Sequence, residues 1–277
     1  MNRRFRSVIF IGLLLLLLCV PGFLWRPQQR ASVEEAYRSQ MAPVFLVPGS
    51  SATQDRFNDL VSGINQKTPH QHSLLRVEVM MDGTLKYTGS IRANDTQPIV
   101  VVGFENHHDG YATIKKQAKW FTIAFKALQK TYHFNHFSAM GHSNGGLVLT
   151  MFLEDDLAGT KAHADRLLTI ASPFNLEEFD QNVDTPLFKQ LSAGRKQLPK
   201  ELTVYSIAGS EGYSGDGIVP FDSVNRGKLI FQGQVKHFTQ MTVTGANANH
   251  ADLPENQQII TLIRQDLLAS HGSLHGQ

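Results

Sequence analysis

From residue 43 onward, short apolar runs alternate with stretches whose apolar residues recur at helical spacing. The run 43–47 and the continuous run 98–104 have the length and β-branched content of strands buried on both faces. Residues 73–81 are strand-like, and Asp82-Gly83 is a hairpin turn leading into 84–90. Ile114, Ala118, Phe121, Phe125 and Leu128 fall at intervals of four and three, which predicts a long helix with one apolar face. Further strands are expected at 137–140, 166–172, 202–208 and 238–244. The chain closes on an amphipathic helix over 255–270 that carries Ile259, Ile260, Leu262, Ile263 and Leu267. Strands that alternate with helices imply an α/β fold whose central sheet is mostly parallel and covered on both faces. We find no internal repeat.

Two segments stand outside this rhythm. Residues 173–199 separate two strands and mix Phe174, Leu176, Phe179, Val183, Leu187, Phe188 and Leu191 with charges. They suit either a small helical cap over a catalytic mouth or a packed connector helix. At the start, residues 7–25 hold no charge, include an unbroken row from Leu13 to Leu18, and follow Arg3, Arg4 and Arg6. As a helix they would measure about 28 Å, close to the ~30 Å hydrocarbon thickness, with the arginines favouring a cytoplasmic N-terminus. Bulky Pro21-Gly22-Phe23-Leu24-Trp25 offers no small-residue cleavage site, so an anchor is preferred over a removed signal peptide. The expected organisation is therefore an anchor or signal segment at 1–27, a linker at 28–42, one α/β domain at 43–270, and a tail at 271–277.

Charge and cysteine content narrow the function. The first thirty residues hold five arginines, leaving 21 basic against 24 acidic side chains, a net of −3 for the remainder. The formal +2 of the whole chain thus comes from the N-terminal flank, and no basic patch speaks for nucleic acid. Cys19 is the only cysteine and lies in the apolar segment, so the domain cannot depend on disulfides.

The chemistry is concentrated at Gly141-His142-Ser143-Asn144-Gly145-Gly146, between a strand and a helix. A Gly-x-Ser-x-Gly turn in that setting forces its serine into a strained conformation and lifts the hydroxyl clear of the sheet. Ser143 is the candidate nucleophile, and it requires a base, a group to orient the base, and oxyanion donors. Asp216 lies between two glycines after the strand at 202–208; Glu211 and Asp222 compete with it, and Asp184 lies in an earlier loop. Of the downstream histidines, His237 would start a strand while His271 and His275 lie in the tail, so His250, in a loop after a strand, is the candidate base. The expected oxyanion donors are the amides of Asn144 and Ser50, with Ser51 as the fallback. His70-Gln71-His72 and His107-His108-Asp109 lack a helix-spaced partner, so no metal site is expected. Residues 106–109 follow a central strand and could line the pocket.

On these motifs, together with Val47-Pro48-Gly49-Ser50-Ser51, Asp82-Gly83, Val102-Gly103-Phe104-Glu105-Asn106, Ser214-Gly215-Asp216-Gly217-Ile218-Val219-Pro220 and His250, the chain resembles the alpha/beta hydrolases. It is most similar to a group of unknown function frequent in lactobacilli and related Gram-positive bacteria, secreted or held at the cell surface. Members usually carry His-Gly in the first loop, where this chain has Pro48-Gly49. The resemblance implies hydrolysis of carboxylic esters with short or medium acyl chains, without a cofactor. Its partners would be a small-molecule ester and, through the N-terminal segment, the membrane. Acyl transfer or lipase action on envelope lipids, peptide cleavage, and a catalytically silent surface-binding role are the alternatives.

Overall fold

The computed structural model describes residues 40–66, 68, 71–180, 182–211 and 215–268. The N-terminal apolar segment and the tail at 271–277, with His271 and His275, lie outside the described residues. Among the described residues, no helix is long and apolar enough to cross a membrane.

Nine strands and seven α-helices follow one another among these residues: β1 Val44–Val47, α1 Asn58–Gln66, β2 Leu74–Val79, β3 Leu85–Gly89, β4 Ile99–Phe104, α2 Tyr111–Tyr132, β5 His136–His142, α3 Asn144–Asp155, β6 His163–Ile170, β7 Phe174–Glu177, α4 Pro186–Gly194, β8 Thr203–Ser210, α5 Phe221–Asn225, α6 Gly227–Phe231, β9 His237–Thr244 and α7 Gln257–Leu262. Eight strands form one sheet in the order β3-β2-β4-β1-β5-β6-β8-β9. Only the β2–β3 hairpin is antiparallel; every other neighbouring pair runs parallel. The first strand sits between β4 and β5, so the connections leave it toward opposite edges. Such a reversal opens a crevice beyond the carboxyl ends of the central strands, where loops from separate parts of the chain meet.

Strand alternation divides the core into two layers. Phe45 and Val47 point to the face covered by α2, α3 and α4, whereas Val44 and Leu46 point to the face covered by α1 and α7. The expected face of α2 is buried in full, and Phe45, Phe121, Phe125, Phe137 and Phe152 make an edge-to-face and tilted ring cluster at centroid distances of 4.8–6.2 Å. Helix α3 is apolar around its circumference and is buried along nearly its whole length, between the sheet and its helical neighbours. The closing helix is shorter than the sequence pattern suggests. A 3₁₀ turn at Leu253–Glu255 precedes α7, whose N-cap Asn256 accepts from Gln258 N, and the last apolar residues continue in a π-helical turn, Ile263–Leu267.

The segment 173–199 is split in its packing. Its helix α4 is started by Thr185, whose side chain accepts from Phe188 N, and by Pro186, and it buries Leu187, Phe188 and Leu191 in the main core. The preceding loop stays outside, with Phe179 74% exposed.

Near the end of α3, Glu154 is buried and its Oε1 has no partner. Burial, reinforced by neighbouring Asp155, pushes its carboxyl up to about 9. The folded chain therefore keeps a proton that the unfolded chain releases above the ordinary value of 4.5. Stability should be greatest below that value and fall by about 1.4 kcal/mol per pH unit until the folded group ionises near pH 9. Glu154→Gln should flatten this decline and raise Tm at pH 8; identical pH profiles of wild type and variant in thermal melts would refute the assignment.

Candidate active site

Ser50, Ser143, Asn144, Asp216 and His250 all follow the carboxyl ends of strands, on loops or at the first residue of a helix. Ser143 sits between β5 and α3 with φ 54° and ψ −130°, a backbone conformation that non-glycine residues rarely hold. Small neighbours make that turn possible. A Cβ on Gly141 would lie 2.3 Å from Gly146 N, and one on Gly145 would lie 2.0 Å from the Val47 carbonyl oxygen and 2.8 Å from that of Pro48. The end of β1 is thus pressed against the first turn of α3, and Pro48 meets this contact through its backbone rather than its ring. Gly49 completes the fit, since a Cβ there would stand 2.6 Å from Ser143 Cβ and 3.1 Å from its Oγ.

Asp216 and His250 meet across the ends of β8 and β9. His250 Nδ1 lies 2.7 Å from Asp216 Oδ2, and the His250 amide donates to the Asp216 carbonyl at 2.9 Å. Asp216 is 2% exposed, and its other oxygen, Oδ1, accepts from Ile218 N at 3.1 Å and Val219 N at 2.8 Å. These bonds fill both carboxylate oxygens and fix the imidazole's orientation. Gly215 at φ 148° and Gly217 at φ 92° give the loop the turn it needs, because a Cβ on Gly215 would strike the Val219 carbonyl oxygen at 2.2 Å. The competing acids lie elsewhere: Asp184 pairs with Arg226, Asp222 lies in the first turn of α5, and Glu211 ends the strand-side arm of the loop. His237 is exposed at the start of β9. The His250 loop is itself tied down, with Arg56 reaching Glu255 Oε1 at 2.6 Å and the Ala251 carbonyl, and Asn256 Nδ2 donating to the carbonyls of Ala246 and Asn247.

Ser143 and His250 line one cavity of about 430 Å³, together with Ser50, Asp109, Asn144 and Glu177 and an apolar wall that includes Leu176 and Val219. Pro173 and Leu176 bring the start of the 173–199 segment to this wall, while α4 stays in the core. Ser50 and Ser51 both line the cavity, but the Ser51 amide already donates to the His107 carbonyl at 2.8 Å. Among the described residues, no group of three or more His, Cys, Asp or Glu side chains could hold a metal ion.

Two features of the site were not foreseen. The Asn144 side chain donates to Ser50 Oγ and Asp109 Oδ1, both at 2.6 Å, and so links the elbow to the loops after β1 and β4. His142 is buried with its ring 4.7 Å from that of His250, and its Nε2 lies 3.0 Å from the His250 carbonyl oxygen. A carbonyl only accepts, so His142 carries its proton on Nε2. Burial above all, then the nearby charges of His250 and Arg56, hold its pKa well below 6.5 and keep it neutral.

A parallel sheet, a strained serine at a strand-to-helix turn and a carboxylate–imidazole pair on later loops together define an alpha/beta hydrolase. The chain belongs to the family described as alpha/beta hydrolase of unknown function (DUF915), whose model matches residues 31–270. Its fold is similar to that of a Lactobacillus plantarum protein described as a candidate cell surface hydrolase, with 58% identity and a TM-score of 0.78 over 84% of this chain and 93% of that one. A gene product of Listeria innocua is similar at 27% identity and a TM-score of 0.72, over 80% of this chain and 93% of that one. No curated protein matches the chain.

Two outcomes follow from the packing. Gly49→Ala should displace Ser143 and slow its labelling by a fluorophosphonate about 10²-fold, because small misplacements at a reacting centre have effects of that size; labelling at the wild-type rate would contradict the close contact. Folding holds the His142 pKa well below 6.5, so below that pH the unfolded chain binds a proton that the folded chain resists, and stability falls as the pH drops. His142→Phe, which retains the ring packing but cannot titrate, should flatten the acid limb of the stability profile, and an unchanged limb would refute a neutral buried imidazole.

Proposed function

We propose that this protein is a serine hydrolase that cleaves carboxylic esters through an acyl-enzyme on Ser143. The observation that carries this reading is the Asp216–His250 pair, whose imidazole borders the same cavity as the strained Ser143. In this reading the imidazole takes the Ser143 proton as Oγ adds to the ester carbonyl, forming a tetrahedral oxyanion. It then passes that proton to the departing alcohol as the C–O bond breaks. Water adds to the acyl-enzyme in the same way and releases the carboxylic acid. Asp216 holds Nδ1–H toward itself and stabilises the imidazolium without being protonated.

The oxyanion donors in this scheme are the backbone amides of Asn144 and Ser50. Ser50 is favoured over Ser51 because the Ser51 amide is engaged by His107. The Asn144 side chain bonds to Ser50 Oγ and so helps set the separation of the two donors. A cavity of about 430 Å³ suits short or medium acyl chains. We further propose that the catalytic domain works outside the cytoplasmic membrane, held by the apolar segment at 7–25; the similarity to a protein described as a cell surface hydrolase supports this placement.

The direct test is labelling by a fluorophosphonate together with turnover of nitrophenyl esters of graded chain length beside aminoacyl amides. Ester turnover should peak at short or medium chains, with amides inert. Ser143→Ala should abolish labelling, and Asp216→Asn should lower kcat about 10⁴-fold. Labelling that survives in Ser143→Ala, or amides cleaved faster than esters, would overturn the proposal.

A further inference from the structure

The charge of the cavity bears on which esters it accepts. Its acidic lining residues are Asp109 and Glu177, and no lysine or arginine is among the residues that line it. Asp109 is fixed rather than loose. Its Oδ1 accepts from Asn144 Nδ2 and from Gly110 N, both at 2.6 Å, beside the first residue of α3. Glu177 ends β7 on the wall that Pro173 and Leu176 form. Among the described residues, neither carboxylate is ion-paired. Two carboxylates in the cavity that holds Ser143 and His250 repel an anionic ester, and for a neutral ester they bring no gain. Both residues are exposed, so they attract a cation from the solvent-facing side of the cavity, through charges that salt screens and low ionic strength strengthens.

We propose that the preferred substrates are esters that carry an ammonium group within a few bonds of the scissile carbonyl, with Asp109 and Glu177 as the groups that select them. This rests on the ester-hydrolase reading of Ser143 and narrows it. The bond made and broken is unchanged: water replaces the alcohol at the acyl carbon, and the cation takes no part in the electron flow. The apolar wall formed by Pro173, Leu176, Ile218 and Val219 receives the methyl or methylene groups that surround or carry such a charge.

The test compares pairs of esters that match in shape and differ in charge. On the alcohol side, butyrylcholine is set against 3,3-dimethylbutyl butyrate. On the acyl side, the nitrophenyl ester of 4-(trimethylammonio)butyrate is set against that of 5,5-dimethylhexanoate. The ratio of kcat/KM, cationic over neutral, should be about ten-fold or more at low ionic strength in at least one pair, and that pair identifies the side on which the cation sits. The ratio should shrink in 0.5 M salt, and Glu177→Gln or Asp109→Asn should each lower it several-fold. Glu177→Gln is the cleaner variant, because Asp109 also holds Asn144. A ratio at or below one in both pairs, or a ratio that neither variant changes, would overturn this inference while the turnover of neutral esters leaves the hydrolase reading in place. Failure of all four esters, with no fluorophosphonate labelling of Ser143, would sink both.

Discussion

The 2.7 Å contact between Asp216 and His250 fixes the side chains of two loops that follow the neighbouring strands β8 and β9. A carboxylate 2% exposed is costly to bury unless its oxygens are matched, and here two backbone amides take one oxygen and the imidazole takes the other. The main chains are clamped as well, through the His250 amide and the Asp216 carbonyl. The contact extends to the elbow, because His142, directly before Ser143, packs its tilted ring against that of His250 and donates to its carbonyl. The carboxyl ends of β5, β8 and β9 are therefore joined by hydrogen bonds and ring packing into one continuous arrangement.

Around that arrangement the sheet supplies rigidity and the loops supply shape. The reversal of strand order at β1 places the Pro48–Gly49 backbone against the first turn of α3, and this contact leaves no room for a side chain at Gly49 or Gly145. Asn144 then spans the floor from Ser50 to Asp109, which turns a mobile kind of residue, a loop aspartate, into a positioned charge. The 173–199 segment contributes differently at its two ends. Pro173 and Leu176 reach the cavity, while α4 is anchored by Leu187, Phe188 and Leu191 in the core. That division argues against a large swinging lid, since moving α4 would expose three apolar side chains.

Much of the fold was legible because its signals are local. The apolar stripe of α2, the strand-turn-helix around Ser143, and Asp216 between glycines that adopt positive φ are each readable within a dozen residues. What could not be read depends on distance along the chain. Asn144 meets Ser50 and Asp109 from 94 and 35 residues away, and only the strand order makes them neighbours. Glu154 has the sequence position of an ordinary acid at a helix end. It is buried because Gly194, at the end of α4, packs against it so closely that a Cβ there would stand 2.6 Å from its Oε2. The closing helix was overestimated because periodicity registers which residues are buried. It does not distinguish an α-helix from the 3₁₀ and π turns that flank α7 here.

In the proposed mechanism Ser143 attacks the carbon of one ester carbonyl, two backbone amides hold its oxygen and His250 moves the proton. The most direct measurement is a crystal structure of the protein after reaction with a phosphonate ester, whose tetrahedral phosphorus mimics the acyl-transfer intermediate. The account predicts phosphorus bonded to Ser143 Oγ, with the phosphonyl oxygen about 2.7–3.1 Å from the amide nitrogens of both Asn144 and Ser50 and His250 Nε2 within hydrogen-bond reach of Oγ. A protein that stays unmodified, or an adduct whose phosphonyl oxygen points away from both amides, would contradict it.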